Sequence, residues 1–191
     1  AKKAGDLDSA SAALREFIGR NPDDRDARLE LSRIARQSGR AEEALEQAAY
    51  LASANAESPE FKFEYGVSLR EAGKLDEAIT ALKSSIELDP SSAVAHHALG
   101  VTELQSGRAK EAVAPLEQAV ARAPDNGDFR FSLAQAYEKL DRIPESLAAY
   151  EAYLQRAPQS DPRAKVVREQ LAIAKKALAE KRDAERAKAQ S

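Results

Sequence analysis

The chain has 191 residues, of which 43% are hydrophobic and 32% charged, and its formal net charge is -3. This small negative charge does not favour binding to nucleic acid. Because cysteine is absent, disulfides, thiol nucleophiles and thiolate metal sites are excluded, and the chain suits a reducing or an oxidising compartment equally. No run of 18 apolar residues occurs, so the sequence predicts no membrane-spanning helix.

Residues 1–24 have the pattern of half a repeating unit. Gly5 predicts a turn, and Leu14 and Phe17 fall on one face of the helix that follows. Pro22 ends that helix, because proline cannot continue helical hydrogen bonding. We expect a second helix without its partner, so that the chain begins inside a unit and more protein lies upstream. The absence of methionine, even at the first position, also indicates a fragment.

The segment 25–160 repeats with a period of 34 residues, which predicts a stack of similar helical pairs rather than one globular core. Its repeats are 25–58, 59–92, 93–126 and 127–160. Two columns that keep this spacing are Gly39, Gly73 and Gly107, and Pro90, Pro124 and Pro158.

The repeat 59–92 shows the plan of each pair. Ser58 is placed to cap a first helix, which Gly73 ends in the left-handed conformation that glycine adopts readily. Asp76 is placed to cap the second helix, and Pro90 ends it. Two antiparallel helices of about 14 residues with short turns are therefore predicted in every repeat.

The segment 161–191 departs from the repeat and predicts one long helix, from Asp161 to about Lys188. It contains nine basic and five acidic residues. We interpret it as a capping helix with a solvated extension, which completes the array at its C-terminal end. Electrostatic docking of this helix onto a partner is the alternative. Its predicted apolar stripe is Val166, Val167, Leu171, Ala174 and Leu178.

The columns of residues 5–160 resemble the tetratricopeptide repeat, a helix-turn-helix unit of 34 residues. The match rests on large residues followed by small ones in the first helices, and on alanines in the second helices. Pro115, inside a second helix, and Ala56, in the proline column, depart from the pattern. The resemblance implies an all-α fold, a right-handed α-solenoid with a C-terminal capping helix. The columns are Leu31, Tyr65, Leu99 and Leu133; Ser32, Gly66, Gly100 and Ala134; and Ala44, Ala78 and Ala112.

The resemblance also implies that the first helices line a concave groove. The groove is expected to have an apolar middle and a charged rim, which suits a helical or extended peptide segment of a partner protein. Its predicted partner-binding residues are Arg33, Arg36, Phe63, Val67, Arg70, Val94, His97, Val101, Leu104, Phe131, Gln135 and Glu138. Some family members grip a terminal carboxylate with lysine and asparagine, but those places hold Leu29, Phe63, Arg33 and Val67 here, so we do not expect that clamp.

Two alternatives to an open groove follow from the same pattern. Phe63 and Phe131 pack between helices if the inner face is shifted by one residue. The groove is also filled if the upstream part of the chain, or a second copy, occupies it.

No residue pattern predicts catalysis. His96 and His97 are adjacent on a helix and point in different directions, so they do not form a metal site, and no glycine-rich loop predicts a phosphate cofactor. We therefore expect a non-catalytic scaffold for protein interaction, without cofactor or metal.

The alternative function is a structural assembly subunit that associates with itself or acts in pilus or secretion assembly. The composition bears a weak resemblance to bacterial envelope proteins, including pilotin-type lipoproteins of type IV pili. It leaves open whether the chain acts in the bacterial periplasm or envelope or in the cytoplasm.

Overall fold

The computed structural model describes residues 2–158 and 160–189, without the side chains of 2–5, 181 and 187–189. The regular secondary structure of this described part consists of α-helices, which short turns connect. The helices are α1 (Lys2–Arg20), α2 (Arg25–Gln37), α3 (Ala41–Ala54), α4 (Pro59–Glu71), α5 (Leu75–Leu88), α6 (Ala93–Gln105), α7 (Ala109–Arg122), α8 (Gly127–Lys139), α9 (Ile143–Leu154) and α10 (Pro162–Ala189). The chain divides into two compact units, unit 1 (Ala1–Arg122) and unit 2 (Ala123–Ser191).

Each 34-residue period forms one helical pair, and the two helices cross at a small residue. A Cβ added at Gly66 of α4 would lie 2.6 Å from Leu82 Cγ of α5. A Cβ at Gly100 of α6 would lie 2.5 Å from Leu116 Cγ of α7. Because van der Waals contact requires a larger separation, these two crossings depend on a residue without a side chain.

The first helices of the four repeats begin at a side-chain cap. The predicted cap at Ser58 is confirmed, since its side chain accepts a hydrogen bond from Phe61 N. The predicted cap at Asp76 is wrong: α5 begins after Lys74 without a side-chain cap, and Asp76 lies in its first turn, where its charge favours the helix dipole. The four caps of the first helices are Asp24, Ser58, Ser92 and Asn126.

The turns between paired helices require a left-handed residue. Gly39, Gly73 and Gly107 have φ of 71°, 77° and 79°, and Asp141 takes this place in the last repeat with φ of 54°. The prediction of a turn at Gly5 is wrong, because this glycine lies inside α1. No described helix precedes α1 to be connected by such a turn.

The proline column has a hydrogen-bonding role in the fold. In three repeats, a nitrogen-bearing side chain of the first helix lies within hydrogen-bond distance of the carbonyl of the proline six residues earlier. This contact satisfies a carbonyl just after a second helix and fixes the entry into the next repeat. The pairs are Arg28 and Pro22 at 2.7 Å, His96 and Pro90 at 3.1 Å, and Arg130 and Pro124 at 2.5 Å.

The helix α10 packs on α9 in unit 2, where Ala164 and Val167 join a buried cluster with Tyr153. Of its predicted apolar stripe, only Val167 is buried. Leu171 and Ala174 are half-buried, and Val166 and Leu178 are exposed. The stripe is therefore narrower than expected. In unit 1, α7 continues through Pro115 from Ala109 to Arg122.

One column of the first helices holds a buried charge. Glu103 of α6 is 4% exposed and stands where the preceding repeat has the buried Leu69. Its Oε2 atom has no hydrogen-bond partner among the described residues. Burial raises the pKa of the Glu103 carboxyl, although the nearby charge of Lys83 opposes this. An ionised carboxylate is therefore costly at this position.

We predict that Glu103→Leu raises the free energy of unfolding at pH 7 by about 1–3 kcal/mol, because it removes a buried polar group without a partner. Since the folded-state pKa of Glu103 lies above the unfolded value, wild-type stability falls as pH rises between the two. The gain should therefore shrink near pH 4. Urea unfolding at both pH values measures this, and Glu87→Leu, on the exposed surface of α5, should change stability by less than about 0.5 kcal/mol.

We predict that Gly66→Ala lowers the free energy of unfolding by about 1–3 kcal/mol, because the added methyl group meets Leu82 and forces the helices apart. Gly19→Ala is the matched control, since a Cβ at Gly19 of α1 meets no atom within 4 Å. The control should be neutral or stabilising by up to about 1 kcal/mol. Equal stability of the two variants in urea would contradict the close crossing.

Candidate functional site

The predicted partner-binding residues are divided between the two units. Nine of them lie in unit 1, on α2, α4 and α6, whose neighbouring members contact each other. We call the surface of these three helices the first-helix face. Phe131, Gln135 and Glu138 lie on α8 in unit 2 and are described within that unit.

A pocket of about 300 Å³ opens on the first-helix face of unit 1. The structure brings three predicted residues together there, each from a different helix: Arg33, Phe63 and Val94. Val94 is 54% exposed, and this exposure leaves its side chain available to a ligand. The remaining lining residues are Pro59, Glu60, Ser85, Asp89 and Ser92.

Phe63 and Val67, one helical turn apart on α4, have different environments. Val67 is 5% exposed and packs with Leu82 and Leu99, so it belongs to the core and cannot form part of a binding surface. Phe63 packs against the same cluster but remains partly exposed, and it also forms a wall of the pocket. The expected apolar strip is therefore interrupted at Val67.

Phe131 has a different environment in unit 2. Its ring meets Tyr150 and Tyr153 of α9 edge-on, with centroids 5.7 Å and 5.3 Å apart, and the Arg163 guanidinium of α10 lies 5.2 Å from its centroid. Phe131 thus packs between helices, which is the environment expected for it if the inner face is shifted by one residue. The exposed Glu138 accepts a hydrogen bond from Tyr150, and Gln135 is also exposed.

A buried carboxylate organises the arginines of the first-helix face. Glu64 of α4 is 2% exposed, and its Oε1 atom lies 3.0 Å from Arg36 Nη1 and 3.1 Å from Ser32 Oγ. Arg33 lies 3.8 Å from the other carboxylate oxygen and donates to Glu60 at 2.9 Å. Burial raises the pKa of the Glu64 carboxyl, and the charge of Arg36 opposes that shift. The network connects α2 to α4 and orients both arginines.

Arg70 lies near this network at the end of α4. Its closest described carboxylate is Glu71 at 3.9 Å, and burial lowers the pKa of its guanidinium. Arg36 lies 3.7 Å from the same carboxylate. The rest of the predicted set on α6, Val101, Leu104 and His97, is partly buried.

Asp89 and Ser85 are pocket residues that the sequence pattern did not indicate. Both lie at the C-terminal end of α5, a second helix, whereas the resemblance assigned the groove to first helices alone. Ser85 donates a hydrogen bond to Pro59 O at 2.8 Å, which holds the end of α5 against the start of α4. The one sequence feature that could have indicated Asp89 is its position directly before Pro90, where a second helix ends and the chain turns into the next repeat.

The described residues contain no group of three or more histidine, aspartate or glutamate side chains placed to hold a metal ion. None of the described helices is long and apolar enough to cross a membrane.

Comparisons with known proteins agree with this geometry. Two family models of tetratricopeptide repeats match the chain, one at residues 1–59 and 97–161 and the other at residues 66–107. No curated protein matches the sequence.

Several solved structures are similar to this fold. MamA has 22% identity and a TM-score of 0.71, covering 81% of this chain and 91% of MamA. TTC0263, a thermophilic TPR protein of Thermus thermophilus, has 27% identity and a TM-score of 0.69, covering 89% and 91%. YrrB, described as a TPR protein with an unusual peptide-binding site, has 15% identity and a TM-score of 0.68, covering 88% and 86%.

We predict that Arg36→Ala lowers the free energy of unfolding by about 3 kcal/mol at pH 7, because the buried Glu64 carboxylate loses its closest cation. The pKa of Glu64 is raised in the folded state, so the ionised form is the unfavourable one and protonation relieves it. The loss should therefore be smaller near pH 4, and Arg36→Ala/Glu64→Gln should recover much of it at pH 7.

Urea unfolding of these variants at the two pH values is the measurement. Arg33→Ala is the control, because its main partner Glu60 is exposed, and this loss should stay below about 1 kcal/mol. If Arg36→Ala lowers the free energy of unfolding equally at pH 4 and pH 7, the ionised Glu64 carboxylate is not the cause of the loss.

Proposed function

Because the chain belongs to the tetratricopeptide repeat family, we propose that it is a non-catalytic interaction scaffold whose first-helix face binds a helical or extended segment of a partner protein. The observation that carries this proposal is the pocket in which Arg33, Phe63 and Val94 meet. It combines exposed apolar surface with a charged rim, which is the anatomy of protein-binding sites.

The contacts of these residues support binding on the pocket side of the face. Phe63 is held by the core beneath it, so it loses little conformational freedom when a ligand covers it. Arg33 is held by Glu60 and Glu64, which fixes the direction of its donors. Because Phe63 and Arg33 are already held in place, the pocket favours binding of a partner segment that lies across α2, α4 and α6.

The similarity to YrrB supports the same class of function by analogy, since YrrB is described as having a peptide-binding site on a similar fold. That analogy concerns the fold, and the pocket residues of this chain carry the specific proposal.

We predict that Val94→Lys weakens peptide binding at least tenfold, because it places a charge against the apolar wall that the ligand covers. Twelve-residue peptides selected from a random phage library on the wild-type chain are the probes, and fluorescence anisotropy gives Kd. Val94 is exposed, so the variant should keep its helicity, as circular dichroism can verify.

Phe17→Lys is the matched control for this measurement, because Phe17 is an exposed apolar residue on α1, outside the pocket. Selected peptides that bind Val94→Lys as tightly as wild type would contradict the assignment of the ligand to this pocket.

The second candidate is a self-associating assembly subunit, and the packing of α1 favours it. Phe17 of α1 is 46% exposed, whereas Leu51, Ser85 and Ala119, in the same column of α3, α5 and α7, are buried. In those repeats the first helix covers this column. Light scattering across a concentration series tests the candidate: a constant monomer mass would exclude it, and Phe17→Glu should reduce any association.

A further inference from the structure

We propose that the pocket on the first-helix face accepts a lysine or arginine side chain of the bound partner segment, with the aliphatic stem against Phe63 and Val94 and the cationic group at Glu60 and Asp89. This inference rests on the proposed function and names the chemistry that the same pocket selects. It concerns unit 1 alone.

The charges that line the pocket favour a cation. Two carboxylates, Glu60 and Asp89, line the pocket together with one guanidinium, that of Arg33. The charge of Arg122 also acts on Asp89, but Arg122 lies outside the lining and donates to Pro90 O at 2.9 Å. Arg33 is engaged by Glu60 Oε1 at 2.9 Å, and no described contact occupies Glu60 Oε2. The lining therefore has an excess of one negative charge while it is empty.

Asp89 is the second carboxylate with a free oxygen. The hydrogen bonds described for its side chain both come from Ser91 and both end on Oδ1, from the backbone nitrogen at 3.0 Å and from Oγ at 2.6 Å. These bonds lower the pKa of the Asp89 carboxyl and keep it ionised at neutral pH. They also fix its direction and leave Oδ2 without a hydrogen bond in the described part of the chain.

The walls of the pocket suit the stem of a basic side chain. Lysine and arginine bury their methylene groups along apolar surface while the charged group stays near water. Phe63 supplies an aromatic face for such a stem or for a guanidinium, and Val94 supplies an aliphatic one. The apolar stem of the ligand side chain then contacts Phe63 and Val94, and its charged group lies at the two carboxylates.

Other side chains fit the pocket less well. A purely apolar side chain would remove the Glu60 and Asp89 carboxylates from water without offering them a donor. An acidic side chain would face two carboxylates, with Arg33 already engaged. The pocket therefore discriminates against both classes.

The test uses peptides selected from a random twelve-residue phage library on the full chain. We expect lysine or arginine to be enriched at one peptide position on wild type, and this enrichment to be lost on Glu60→Gln/Asp89→Asn. Glu57→Gln/Glu87→Gln is the matched control, since it removes two exposed carboxylates outside the pocket lining, and it should keep the enrichment.

A selected peptide whose basic residue is replaced by norleucine then measures the contact directly, because norleucine keeps the stem and lacks the charge. Binding to wild type should weaken about 5- to 20-fold, as expected for a half-exposed cation that loses two carboxylate partners. Binding to Glu60→Gln/Asp89→Asn should be unchanged by the same replacement.

The outcomes separate the two proposals. If selected peptides depend on Val94 but carry no basic enrichment, or if norleucine weakens binding equally on wild type and on the double variant, the basic-residue inference is overturned and the groove remains. If no selected peptide depends on Val94, the proposed function fails and this inference fails with it.

Discussion

The two helices of each repeat cross at one position where the chain has almost no side chain. Gly66 and Gly100 allow Leu82 and Leu116 to approach the opposite backbone directly, and Ser32 takes this place in the repeat of α2 and α3. The Ser32 hydroxyl lies 3.1 Å from Ala44 O. The close approach at this position sets the distance between the two helices of a pair. The alignment of neighbouring first helices depends on that distance.

That alignment decides which residues of the first-helix face are available to a ligand. Val67 and Val94 are both valines on first helices, yet Val67 fills the space beside Leu82 and Leu99 whereas Val94 faces solvent. A column of inner positions is therefore not a continuous strip. The exposed Val94 and the partly exposed Phe63 lie near the starts of α6 and α4, beside the end of α5, where the pocket forms.

The buried charge of Glu64 has a structural consequence that extends to this pocket. An ionised carboxylate with 2% exposure is costly without partners, and Glu64 holds Arg36 and Arg33 on the surface of α2. Arg33 in turn engages Glu60 at the pocket rim. The position of the rim charges is thus set from within the core, which reduces the ordering that a partner must impose.

The sequence by itself determined the helical pairs, because the 34-residue period places a capping residue, a small residue, a glycine and a proline at points where the backbone demands them. Ser58, Gly66, Gly73 and Pro90 could be assigned to their roles for that reason. Only the tertiary structure decided the site. The exposure of Val94, the burial of Val67 and the arrival of Asp89 from a second helix depend on contacts between repeats. A period in sequence specifies the face of a helix, but the neighbouring helix determines how much of that face solvent can reach.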